Sequence, residues 1–259
     1  MASTALAPAL PMSAQAQFRQ EPRPALWVVN DEDTIIYLFG TFHALDGKGE
    51  WFDRSVQTAF HASDQLILET LVPKAGVPVA VRSSRASAAA ARAAPSSFLG
   101  TTKMVMSAGR ASGLSTDHGA DAVLRDAADR TGKPVGGLES FENQLRMFSA
   151  LPPPPTAAAQ AKDPRVARAL AEVLSRLQSA WTRGDIDSFA PMLRQMQVQS
   201  PQIYETMFVE RNARWANWIA ERMKAPGTVF VAVGAGHLSG PDSVQKRLAM
   251  LGVRSARVN

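Results

Sequence analysis

Two histidines in this chain stand in the same local frame. Leu38 and Phe39 lead into Gly40-Thr41-Phe42-His43, and the run from Val229 to Val233 leads into Gly234-Ala235-Gly236-His237. Each is a β-rich apolar stretch that ends in Gly-x-x-His. Two glutamates share the placement: Glu69 closes "QLILE" and Glu139 closes "VGGLE". Two imidazoles and two carboxylates suit a divalent transition metal such as Mn, Co, Fe or Zn, and match Ca or Mg poorly. A metal lowers the pKa of a bound water and polarises a carbonyl. A carboxylate not tied to the metal can take the water's proton. The other histidines, His61 on a helix flank and His118 in a polar loop, read as structural.

The elements around these residues have to bring them together. In open α/β sheets, sites form just outside the carboxyl ends of the strands, at a switch point. "ALWVVNDEDTIIYLFG" reads as a hairpin, with turn chemistry at Asn30-Asp31-Glu32-Asp33. Phe52, Val56 and Phe60 then fall at helical spacing, and "QLILET" follows as a short buried strand. Val123, Leu124, Ala127 and Ala128 give a helical stripe that Gly132 and Pro134 end. Residues Arg165 to Trp181, Ile186 to Met196 and Tyr204 to Lys224 read as further helices. "TVFVAV" is a buried strand of the parallel kind; Gly240-Pro241 then predicts a helix start with Pro at its first position, and "VRSARV" a return strand. The expected fold is α/β: a central mixed, largely parallel sheet flanked by helices, with two β-α-β units each entered through Gly-x-x-His. The glycines let the backbone turn sharply and approach a ligand closely.

The 259 residues suit one domain with an insertion, and 46% apolar content suffices for a sizeable core. The net charge of +5 is local. Lys74, Arg82, Arg85, Arg92, Lys103 and Arg110 lie between Leu71 and Thr116 with no acid among them, and without them the balance is −1. Only Phe98 interleaves with these charges, so base stacking has no platform and no nucleic-acid partner is expected. There are no cysteines, which excludes disulfides, thiolate zinc sites and cysteine nucleophiles. No run approaches the roughly 20 apolar residues of a membrane span. Residues 1–24 read as a signal-peptide remnant or a disordered tail, with Ser13-Ala14-Gln15-Ala16 as a small-residue cleavage site. Residues 25–259 read as one domain, with 71–116 a variable basic insertion or lid and 152–200 a helical region. Walker, GxGxxG, HExxH and nucleophile-elbow motifs are absent.

The ordered set GTFH, the strand end at Glu69, "GLE", "ERN" and "GAGH" resembles the TraB/GumN family, related to the Tiki proteins. The similarity runs from "ALWVVNDEDTIIYLFGTFH" through "GADAVLRDAADRTGKPVGGLES" to "MFVERNARWANWIAERM" and "TVFVAVGAGHLSGPDSV". It implies an α/β fold with a site on the two Gly-x-x-His motifs and the glutamates and, by way of the Tiki branch, a metal-dependent peptidase of the bacterial envelope, periplasmic or secreted. Carried onto this chain, His43, His237 and Glu139 are the expected metal ligands and Glu69 the general base, the two glutamate roles being exchangeable. Arg211 is expected to steady an oxyanion or a substrate carboxylate, and Asn212 to orient it. On its own, Glu210-Arg211-Asn212 reads as a solvated helical turn. The alternative function is a non-catalytic envelope protein that binds haem or a peptide in the same cleft.

Overall fold

The structure, a computed structural model, describes residues 23–48, 51–52, 54–72, 98–152 and 163–258. The expected N-terminal tail lies almost wholly outside these residues, as do 73–97 of the basic insertion and 153–162 of the expected helical region. The described part of the insertion includes a helix, α2.

Strands β1 (Leu26–Asn30) and β2 (Thr34–Thr41) form the expected hairpin, with Leu26 opposite Phe39 and Asn30 opposite Ile35. Asp31 closes the turn by accepting from the Thr34 N–H at 2.9 Å, the Asx chemistry that favours such residues in turns. Helix α1 (Arg54–Ala62) and strand β3 (Gln65–Thr70) follow. Then come α2 (Phe98–Ala111), a 3-10 turn (Thr116–His118), α3 (Ala120–Thr131), β4 (Val135–Glu139) and α4 (Phe141–Ala150). The helical region contains α5 (Pro164–Thr182) and α6 (Ala190–Gln199). It continues into α7 (Pro201–Tyr204), a π-helical turn (Glu205–Val209) and α8 (Glu210–Arg222). Strand β5 (Gly227–Gly234), a 3-10 turn (Ala235–Leu238), α9 (Val244–Met250) and the short β6 (Ala256–Arg257) complete the chain.

The six strands form one mixed sheet in the order β4-β3-β5-β2-β1-β6. The four strands from β4 to β2 are parallel, and β1 and β6 pair antiparallel at the far edge. The parallel register positions the site. β5 pairs β2 over its whole length, with Thr41 opposite Gly234, so the two Gly-x-x-His turns leave the sheet at the same level. On the other side, Leu68 lies opposite Ala232 and Thr70 opposite Glu139. All four strand ends therefore form one rim. β5 is buried from Val229 to Gly234, as expected for a strand covered on both faces.

Aromatic side chains fix the rim from below. Phe39, Phe42, Trp51 and Trp181 pack with ring centroids 5.5–6.4 Å apart. The buried Trp181 indole N–H donates to the Gly40 carbonyl at 2.7 Å, satisfying a backbone acceptor in the β2 turn. The N-terminus of α3 abuts the same turn, with the Ala120 N–H bonded to the Phe42 carbonyl at 3.0 Å.

Three local expectations are corrected. α1 starts at Arg54, so Phe52 packs from the loop ahead of it, edge-on to Phe60. The last helix starts at Val244 rather than at Pro241; Gly240 takes φ +80° and Asp242 is held outside the helix by Asn212, Tyr204 and Arg247. The long helix from Pro201 contains a π-helical turn at Glu205–Val209. Among the described residues no helix is long and apolar enough to cross a membrane.

A methyl group on Gly119 would lie 2.2 Å from the His43 carbonyl oxygen. Gly119→Ala is expected to push α3 away from the β2 turn at a cost of about 1–3 kcal/mol, measured as a lower denaturant midpoint with an unchanged m-value.

Candidate active site

Arg211 stands at the centre of the rim. It projects from the first turn of α8 and is fully buried, at 0% exposure. Its three nitrogens serve three partners. Nε donates to both Glu139 oxygens at 2.9 and 3.1 Å, Nη2 to Glu69 Oε1, and Nη1 faces His237 Nε2 at 3.3 Å. Nη1 also reaches the Met207 carbonyl in the π turn at 3.4 Å, and the guanidinium lies 4.6 Å above the Trp215 ring. The solvated-turn reading of Glu210-Arg211-Asn212 is thus corrected for two of the three residues. Arg211 and Asn212 are buried and only Glu210 faces solvent, with Arg214 3.8 Å away.

Glu69 is buried at the end of β3. Gln144 Nε2 donates to its Oε1 at 3.1 Å and the Gly234 N–H to its Oε2 at 3.3 Å. Burial alone would raise the carboxyl pKa, but Arg211, with smaller help from His237 and His43, outweighs it and holds Glu69 far below the usual carboxylate range. Glu139, from the end of β4, is shared between Arg211 and the half-exposed Arg214, whose Nη2 lies 3.5 Å away.

His237 has a fixed tautomer. The Asn212 amide nitrogen is 2.8 Å from the Asp242 carbonyl and 3.4 Å from the His237 carbonyl, so it donates to both and Oδ1 must accept. The 2.6 Å contact from Asn212 Oδ1 to His237 Nδ1 then requires the proton on Nδ1. The Nε2 lone pair is left facing Arg211. Burial, reinforced by Arg211 and His43 and opposed by Glu69, pushes the His237 pKa down to about 3, so the ring is neutral. Phe208 and Trp215 pack against it with centroids 4.8 and 4.5 Å away.

His43 has the opposite character. Its side chain is 58% exposed, and Nδ1 is paired with Asp121 Oδ2 at 2.7 Å. Asp121 lies in the first turn of α3, where the helix dipole favours an anion, and Thr41 Oγ1 steadies it through Oδ1 at 3.0 Å. The Asp121 charge, with smaller help from Glu69, raises the His43 pKa to about 9. Nε2 is left pointing over Gly234. A methyl group there would lie 3.1 Å from His43 Nε2, 3.5 Å from His237 Cδ2 and 3.6 Å from Glu69 Oε2. The glycine keeps open a small cradle into which all three groups project.

The rim therefore brings together His43, Glu69, Glu139, Arg211, Asn212 and His237. Three contributors were not anticipated: Asp121, Gln144 and Asp242. Asp121 alone left a sequence signal, an acid directly behind Gly119-Ala120 at a helix start. A separate cavity of about 350 Å³, lined by Asp46, Ser112, Ser175, Gln178, Thr182 and Arg183 among others, contains none of the rim residues.

As arranged, the donors that surround Arg211 do not fit a divalent metal. Both Glu139 oxygens and one Glu69 oxygen accept from Arg211, and the His237 lone pair faces the same cation. Among the described residues no group of three or more His, Asp or Glu side chains is placed to hold a metal ion.

Comparison with known proteins agrees with this architecture. The sequence profile of the TraB/PrgY/gumN family matches residues 25–95 and 74–257. Two curated relatives, each described as uncharacterized protein YbaP, come from Escherichia coli (strain K12) and Shigella flexneri. Each is 32% identical over 138 residues, covering 52% of this chain and 50% of the relative. The chain thus spans about half the length of the curated relatives it matches. No solved structure matches. With the family profile covering nearly all of the folded sequence, the chain belongs to the TraB/PrgY/gumN family.

Proposed function

We propose that the rim hydrolyses a carbonyl compound, a peptide foremost, with His43 as the proton-transfer group. The observation that carries this reading is the Asp121–His43 pair, whose free Nε2 is aimed at the cradle over Gly234. An imidazole held by a carboxylate through Nδ1, with Nε2 presented to the reacting atoms, is the arrangement of a general base. Neutral His43 takes a proton from water as its oxygen bonds to the substrate carbonyl carbon. The imidazolium then returns that proton to the leaving amine as the C–N bond breaks, so that one water is added across the bond. Asp121 holds the ring and stabilises its charged form. Neutral His237 and the ion pairs around Arg211 shape the floor of the site. Glu139, Glu69 Oε1 and His237 are engaged by Arg211, so no step is routed through a metal. The small-residue stretch at Ser13–Ala16 supports placing this activity in the bacterial envelope.

His43→Ala is expected to lower turnover of fluorogenic peptides about 10²–10⁴-fold while leaving the thermal midpoint near that of the wild type. Wild-type peptide binding with no cleavage at any pH would instead indicate a binding protein.

The active form of His43 is the neutral one. Rates are therefore expected to rise with pH and level off above about 9, and Asp121→Asn should move the inflection toward 6.5, the ordinary histidine value in the same comparison. Stability runs the other way. A raised pKa means that the pair's contribution is complete below pH 6.5 and is lost as pH rises through about 9. Its half-exposed position keeps that contribution small. An NMR titration of the His43 ring measures the pKa directly.

A further inference from the structure

We propose that Arg211 is the resident cation of this site and stands where a divalent ion would have to stand, between Glu69, Glu139 and His237. Each nitrogen of the guanidinium faces one of those three groups. Zinc bonds to histidine nitrogen and carboxylate oxygen at about 2.0–2.2 Å. Arg211 Nε is 2.9 Å from Glu139 Oε1 and Nη1 is 3.3 Å from His237 Nε2. An ion ligated by both groups would thus fall within the guanidinium's own volume. The side chain has no solvent-facing route of retreat: it is fully buried, Trp215 covers one face and the Met207 carbonyl holds Nη1.

Charge and hydrogen bonding are both accounted for. Two buried carboxylates need a cation, and one guanidinium supplies it together with the donors that their lone pairs require. A metal would have to displace Arg211 or sit beside it and suffer its repulsion. Removing the guanidinium, conversely, leaves two carboxylates and one imidazole lone pair converging on an empty volume, which is the donor set of a transition-metal site. The proposal concerns metal binding and stands whether or not the rim turns over a peptide.

The test is equilibrium dialysis of the purified chain against Mn(II), Co(II) or Zn(II), followed by elemental analysis, with thermal melts in parallel. Wild type is expected to retain less than about 0.1 ion per chain and to melt at the same temperature in metal and in EDTA. Arg211→Met is expected to gain about one ion per chain, to melt several degrees higher with metal, and to lose the gain on adding Glu139→Gln or His237→Ala. One ion per wild-type chain, lost in His43→Ala or His237→Ala, overturns the proposal. So does a folded Arg211→Met that binds no metal. Should Arg211→Met fail to fold, Arg211→Gln, which keeps an amide donor for one carboxylate, takes its place under the same criteria, and the wild-type measurement decides independently of either variant.

Discussion

Burying a guanidinium is expensive, and the whole rim is arranged around meeting that expense. An isolated cation taken out of water costs several kcal/mol even after relaxation, and breaking such a pair from one side typically costs about 3–5 kcal/mol. Arg211 is tolerated because two carboxylates, a carbonyl, an imidazole lone pair and an indole face surround it. Those groups come from β3, β4, α8, the π turn and the loop after β5. None can move far without uncovering the charge, so one buried ion fixes the mutual placement of elements that are distant in sequence. The same field holds Glu69 ionised and His237 neutral.

The backbone makes that arrangement possible. β2, β5 and β3 run parallel with registers that bring Thr41, Gly234 and Thr70 to one edge. A slip of one residue would turn each strand's side chains to the opposite face and would separate Glu69 from Gly234. The Trp181 bond to Gly40 and the packing of α3 on Phe42 hold the first turn in place from the opposite side. The π turn at Glu205–Val209 adds a carbonyl pointing at Arg211 and a ring against His237, a use of irregular helix that recurs at functional sites.

Much of this was legible in the residues. Two β-rich runs around a polar turn marked the hairpin, the unbroken apolar run marked β5, and the strand-end placement of His43, Glu69, Glu139 and His237 marked the rim. What the sequence conceals is which groups answer one another. Asp121 lies 78 residues from His43 and looks like any first-turn acid of a helix. Arg211 sits between two polar residues on an amphipathic helix, and only the tertiary contacts show it facing inward. Gly240-Pro241 carries a sound helix-start signal, but the side chain and carbonyl of Asp242 are engaged by Tyr204, Arg247 and Asn212, which delays the helix to Val244. In each case a long-range polar partner outweighed a local preference.

The two Gly-x-x-His turns look like copies of one another, yet the fold gives them opposite proton affinities. One ring is solvent-facing and held by an anion; the other is sealed among aromatic rings with its proton pinned by Asn212. The rim is therefore polarised rather than symmetric. Among the described residues, the imidazole that meets bulk water is the one on the β2 side, and its counterpart on the β5 side is enclosed.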